Sequence, residues 1–224
     1  MNLIGEPTRM ETREVSERLA SLAKPVGSLG VLESWAVTLC DVQQTLTPSA
    51  EPASVLVFCA DHGVKKADNA LSPFPPSVSQ AVFRALAAGI SATAVITASV
   101  GAHLTVIDVG IDGDVSAVGS GGPGIVVRHS KVAPGSGDLR SGPAMEAEEL
   151  EAAMRVGAAA VDDEVSSRLS KVVAVGEVGI GNTTSAAALL VALTGATARR
   201  GSKEAQLDLH IVERRAHSNL YEPL

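Results

Sequence analysis

Three short polar segments along the chain could do chemistry. The richest is Gly176-Glu177-Val178-Gly179-Ile180-Gly181-Asn182-Thr183-Thr184, where an apolar run gives way to glycines, an amide and two hydroxyls. An Ala/Leu-rich helix is predicted to start there. Free N–H groups and the positive end of a helix dipole attract an anion, and glycine lets the backbone approach it closely. Gly179, Gly181 and the hydroxyls of Thr183 and Thr184 are therefore candidate phosphate ligands. The same residues also fit an ordinary capped helix with a tight turn, and spacing alone weighs the two readings evenly. Glu177, next to this segment, is a candidate active-site acid, or else a structural acceptor for neighbouring amides.

The second segment is Asp61-His62-Gly63-Val64 and the third Asp108-Val109-Gly110. Asp61, His62 and Asp108 are pocket candidates because each ends an apolar run. For His62, an oriented, hydrogen-bonded structural role outweighs that of general base or metal ligand. The remaining histidines and the two cysteines, Cys40 and Cys59, show no metal-ligand spacing, so neither metal nor cofactor is expected.

Two nucleotide motifs fail in context. Asn182 stands where a P-loop needs lysine, and Gly119-Ser120-Gly121-Gly122-Pro123-Gly124 runs into the strand-like Ile125-Val126-Val127 rather than opening a helix.

These segments need elements to hold them. Ser54–Ala60 is a continuous apolar run of strand length, the pattern of a strand covered on both faces, His103–Gly110 reads as a second buried strand and Lys171–Val175 as a third. Helical spacing predicts a helix from a Thr12 cap through Val15, Leu19 and Leu22, broken by Lys24–Gly30. A second helix carries Val31, Leu32, Trp35, Leu39 and Val42 on one face. Further helices are predicted from Val78 toward Val100, from Met145 to Asp163, and up to Leu193, with a glycine-rich loop over Ile111–Gly124. Alternation of strand and helix predicts an α/β fold, a doubly wound parallel sheet with helices on both faces. Ligands of such sheets bind beyond the carboxyl ends of the strands, where all three polar segments fall.

Composition agrees. With 224 residues, 46% hydrophobic and 2% aromatic, the chain can fill one sizeable α/β core from Ala, Val, Leu and Ile. A net charge of −7 without a Lys/Arg run argues against nucleic acid. Ala81–Val100 comes nearest to a membrane span, but Arg84 and its small polar residues favour a buried helix pair. A soluble, reduced, cytoplasmic setting is expected.

Four segments, in order, resemble the nicotinate-nucleotide:dimethylbenzimidazole phosphoribosyltransferase family. They are Lys24–Glu33, Ala60-Asp61-His62-Gly63-Val64, Ser72-Pro73-Phe74-Pro75 with Gln80 following, and Gly176–Thr184. The resemblance spans roughly Lys24 to Leu193. It implies a Rossmann-like domain over residues 51–200, with residues 1–50 forming part of a small helical domain. It implies transfer of phosphoribose from nicotinate mononucleotide to 5,6-dimethylbenzimidazole, giving α-ribazole 5′-phosphate and nicotinate in cobalamin synthesis. By the same resemblance Ser72, Phe74, Gln80 and Val178 line the benzimidazole slot, with Val178 in place of the more usual Met. Gly179–Thr183 hold phosphate and ribose, Glu177 is the acid beside the base, and the full-length family forms homodimers.

Gly135-Ser136-Gly137-Asp138 departs from the family's Gly-Thr…Asn pattern. Family members continue past Ala198 into a phosphate-contacting lysine and the glutamate regarded as general base, whereas residues 201–224 look atypical. C-terminal truncation is thus expected. The alternative function is an inactive form that only binds an aromatic base or nucleotide.

Overall fold

The computed structural model describes residues 12–68 and 71–194, and the tail set apart above, residues 201–224, lies outside them. Its frame is a parallel sheet of β1 (Ala53–Ala60), β2 (His103–Gly110), β3 (Ile125–His129) and β4 (Val172–Val178), in spatial order β3-β2-β1-β4. Between β1 and β4 the order reverses. In sheets of this kind that reversal opens a crevice beyond the strand ends.

Alternation along the two central strands explains why they are buried on both sides. Val57 and Cys59 of β1 and Leu104 and Val106 of β2 join one core cluster with Phe83, Leu86 and Ala94. Leu56 of β1 and Ile107 of β2 point the other way and meet Ala160, with Phe58, Val156 and Val173 packed around them. Helices α4 (Ser77–Ala87) and α5 (Ala92–Ser99) therefore cover one face, and α6 (Ala147–Arg168) covers the other. This is the doubly wound arrangement expected from the apolar runs.

Two points beyond the sequence reading have local causes. The helix pair expected from Val78 toward Val100 divides at Gly89, since Gly89 takes φ +76° and Ser91 caps α5 by accepting the Ala94 amide at 3.1 Å. Residues 77–99 are long and apolar enough in composition to cross a membrane, and this break divides them. The apolar face of α2 (Val31–Gln43) stands exposed, with Trp35 60% and Val42 72% accessible, because no described element packs over it. Helix α1 (Thr12–Ser21) precedes it. The intervening loop is closed by Lys24, whose Nζ lies 2.8 Å from Glu33, a bond that holds the Glu33 carboxyl below its ordinary pKa.

A buried polar cluster ties the amino-terminal end of the sheet. Glu164 of α6, fully buried, accepts Ser54 Oγ and Thr105 Oγ1 at 2.7 Å each and pairs with Arg168 Nε at 3.0 Å. Ser170 Oγ lies 2.7 Å from Ser54 Oγ. Every lone pair used here meets a donor, which a buried carboxylate requires.

Both cysteines are free and buried, as expected from their positions. Cys59 is wholly inaccessible, and its burial, with Asp108, Glu177 and Asp61 adding negative potential, pushes its thiol pKa up to about 12.

Candidate active site

At the carboxyl end of β1 the register slips between Cys59 and Ala60, so that Cys59 pairs with Asp108 but Ala60 with Gly110. This bulge carries the chain out of the sheet. The Asp61 amide then bonds the Gly110 carbonyl at 2.9 Å, and the Asp61 side chain, 6% accessible, sits where three loops converge. One carboxylate oxygen accepts the Ser79 hydroxyl of α4, and the other accepts the Asp112 amide at 2.9 Å. Ser79 Oγ in turn accepts the Ile180 amide at 3.2 Å. Asp61 thus links β1, α4, the loop after β2 and the turn after β4.

That turn, Gly179-Ile180-Gly181, leads directly into α7 (Asn182–Thr194). Glycine is required at both ends of it. A Cβ on Gly179 would collide with the Ala60 carbonyl, and Gly181 adopts φ +101° with His62 and Lys65 packed beside it. Asn182 Oδ1 accepts the Thr183 amide at 2.8 Å, while its Nδ2 donates to Glu177 Oε1 at 2.7 Å. Glu177, exposed at the end of β4, is therefore aimed by the first residue of the helix.

His62 lies between the two strand ends. Its Nδ1 is 2.9 Å from Ser185 Oγ on the first turn of α7, and its Nε2 faces Gly179. Burial pushes its pKa below the ordinary value, with Glu177 and Asp61 opposing that shift. The ring is a neutral spacer between β1 and α7, in keeping with the structural reading.

The other expected residues are placed as follows. Ser72 Oγ accepts the Phe74 amide at 3.2 Å, and its carbonyl accepts Lys65 Nζ at 2.8 Å. Phe74 is exposed, free to stack on a planar partner. Gln80 Nε2 reaches the Asp112 carbonyl at 3.5 Å and fills the space a side chain at Gly113 would need. Val178 packs on the α4 side of the core. Asp108 is not brought to the cavities described next: it accepts the Ile111 amide at 2.9 Å and lies 3.4 Å from Lys131, fixing the loop after β2.

Two cavities lie near this convergence, and of the expected site residues only Asp61, His62 and Ile180 line them; Ser72, Phe74, Gln80, Glu177, Val178, Gly179, Gly181, Asn182 and Thr183 line neither. A small one, about 70 Å³, is walled by Asp61, His62, Lys65, Asp112, Ser136 and Ile180. A larger apolar one, about 550 Å³, lies between α6 and α7 over the end of β1, with His62 and Ser185 among its polar edges. Among the described residues no group of His, Cys, Asp or Glu is arranged to hold a metal ion. Ser79 was missed in the sequence because a serine within an amphipathic helix carries no signal. Only its tertiary partners reveal it.

Comparison with known proteins places this geometry. The phosphoribosyltransferase family profile matches residues 4–215. A nicotinate-nucleotide–dimethylbenzimidazole phosphoribosyltransferase of Chromobacterium violaceum is 41% identical over 193 residues, which cover 86% of this chain and 53% of that protein. Its namesake in Halalkalibacterium halodurans is 34% identical over 194 residues, covering 85% of this chain and 52% of that one. The crystal structure of the Thermus thermophilus enzyme of the same name superposes with a TM-score of 0.74 at 33% identity, covering 87% of this chain and 57% of that one. The chain spans about half the length of the curated relatives it matches.

Proposed function

Because the chain belongs to the nicotinate-nucleotide–dimethylbenzimidazole phosphoribosyltransferase family, we propose that its strand-end crevice binds nicotinate mononucleotide and an aromatic benzimidazole and serves phosphoribosyl transfer between them. The observation that carries this reading is the Gly179–Gly181 turn at the start of α7, with Glu177 held beside it by Asn182.

In the reaction so proposed, the 5′-phosphate lies against the turn and the first residues of α7, Gly179 to Thr183, where the positive end of the helix dipole favours an anion, while the Ile180 and Thr183 amides are spent on Ser79 and Asn182. The benzimidazole lies on Phe74, bounded by Ser72, Gln80 and Val178. One ring nitrogen attacks the anomeric carbon with its lone pair while the other yields its proton to the Glu177 carboxylate. The bond from the anomeric carbon to the nicotinate nitrogen breaks, and its electron pair returns to the pyridinium ring, neutralising it. The leaving group is thus already activated, and most of the protein's task is to hold two flat rings in line across one sugar.

Small-molecule substrates are the partners, residues 12–50 form part of a small helical domain, and the enzyme works in the cytoplasm as a homodimer. The relatives' names and the free, buried thiols support parts of this setting.

The test is product formation. The purified chain, nicotinate mononucleotide and dimethylbenzimidazole are incubated and α-ribazole phosphate is followed by chromatography, alongside Glu177→Gln. The expected result is turnover that falls by about 100-fold in the variant, the scale of a lost general base. Binding of nicotinate mononucleotide without product would instead make this chain a binding unit, with the chemistry dependent on groups outside it.

A further inference from the structure

We infer that Asp61 and Ser79 are positioning residues that set the phosphate-binding turn from inside the protein, before any ligand arrives. The inference rests on the reading of that turn as the phosphate cradle.

The geometry allows one polarity. Asp61 as a carboxylate only accepts, so the Ser79 hydroxyl must donate to it. The Ser79 lone pair is then what the Ile180 amide meets, at 3.2 Å. Ser79 is fully buried and lines neither cavity, which keeps solvent from its hydroxyl and lets each bond strengthen the other. The second Asp61 oxygen is occupied by the Asp112 amide, so the carboxylate itself cannot swing. A chain of bonds therefore runs from β1 through α4 to the middle residue of the β4–α7 turn, across 101 residues of sequence between Ser79 and Ile180.

The Ile180 peptide plane is thereby fixed, and Gly179 and Gly181 on either side are pressed against Ala60 and His62. Glycine-rich turns otherwise have the widest choice of backbone conformations, and ordering them upon binding weakens affinity. Here the ordering is done by the fold. Asp61 and Ser79 need not touch the phosphate: the Ile180 N–H is spent on Ser79, and they act through the shape this bond gives the turn.

The experiment uses the full chain with Ser79→Ala, and Asp61→Asn as a second variant that retains volume but presents an NH2 group or loses charge at the clamp. Exchange of the Ile180 amide is followed by NMR. Affinities for nicotinate mononucleotide and dimethylbenzimidazole are measured by calorimetry, and circular dichroism reports the fold. Both variants are expected to speed Ile180 exchange and to weaken nicotinate mononucleotide by about tenfold, the scale of a lost hydrogen bond to a charge-backed acceptor, with dimethylbenzimidazole held as before. Unchanged Ile180 exchange with nicotinate mononucleotide still bound overturns the clamp and leaves the proposed function standing. Equal weakening of both ligands overturns it too, as general damage to the fold. Exchange that responds in a chain binding no nicotinate mononucleotide overturns the phosphate reading of the turn, and the positioning role with it.

Discussion

The two ends of this sheet are each organised around a buried carboxylate, and they use it differently. At the amino-terminal end Glu164 receives Ser54 of β1, Thr105 of β2 and Arg168 one helical turn away. All of these partners lie on regular elements. At the carboxyl end Asp61 receives Ser79 from a helix but Asp112 from a loop, and reaches a glycine turn through Ser79. The first carboxylate joins elements that are already rigid and so contributes to stability. The second joins segments that would otherwise wander, and so contributes to shape. A buried charge can therefore serve the fold or the site, and the rigidity of its partners tells which.

The largest effect that could break this contrast is expected from Glu164→Ala. It strands two buried hydroxyls and leaves the partly exposed Arg168 guanidinium unpaired, and should cost about 3 kcal/mol, the low end for breaking a buried ion pair. Urea denaturation would measure it. Affinity for nicotinate mononucleotide in the folded fraction should not change, and a loss there would make the two ends one unit. Gly179→Ala should do the reverse. Its Cβ meets the Ala60 carbonyl, so the turn must shift at a cost of about 1–3 kcal/mol for overpacking. Calorimetric affinity for nicotinate mononucleotide should fall more than the melting temperature does.

The smallest effect is expected from pH. His62 has a folded pKa below its ordinary 6.5, chiefly through burial. The unfolded chain therefore takes up the proton first as pH falls, and stability is lost from about pH 6.5 downward until the folded histidine protonates as well. Denaturation midpoints across that range should lose this part of their slope in His62→Gln. A slope that rose toward acid would mean that His62 is charged in the folded protein and that its neighbouring carboxylates outweigh its burial.

What could be read from the sequence follows from how local each signal is. Strand β2 was legible to the residue because His103–Gly110 is a mostly apolar, β-branched stretch of strand length closed by glycine. The glycines flanking Ile180 were legible because a helix start after a strand gives them a local purpose. The division of α4 from α5 was legible as a helix pair, but its place at Gly89 was not, since that glycine lies among small residues that a helix also tolerates. Neither carboxylate's role could be read off. Glu164 sits in a helix rich in charge, and its partner Ser54 lies 110 residues away. Position at a strand end marked Asp61 and Asp108 alike, yet Asp61 lines both cavities and Asp108 neither. The bulge between Cys59 and Ala60 separates their fates, and bulges arise from pairing rather than from composition.

Cys59, one residue before that bulge, gives the molecule a clock. Electrophiles and oxidants attack the thiolate, which at a pKa of about 12 is scarce in the folded protein, and they must first reach a sulfur with no accessible surface. The side chain stands out of the sheet into the core beside Phe83 and Leu86 of α4, so the sulfur meets solvent only when that helix layer lifts from β1. The pace of its modification is then the pace at which that layer opens.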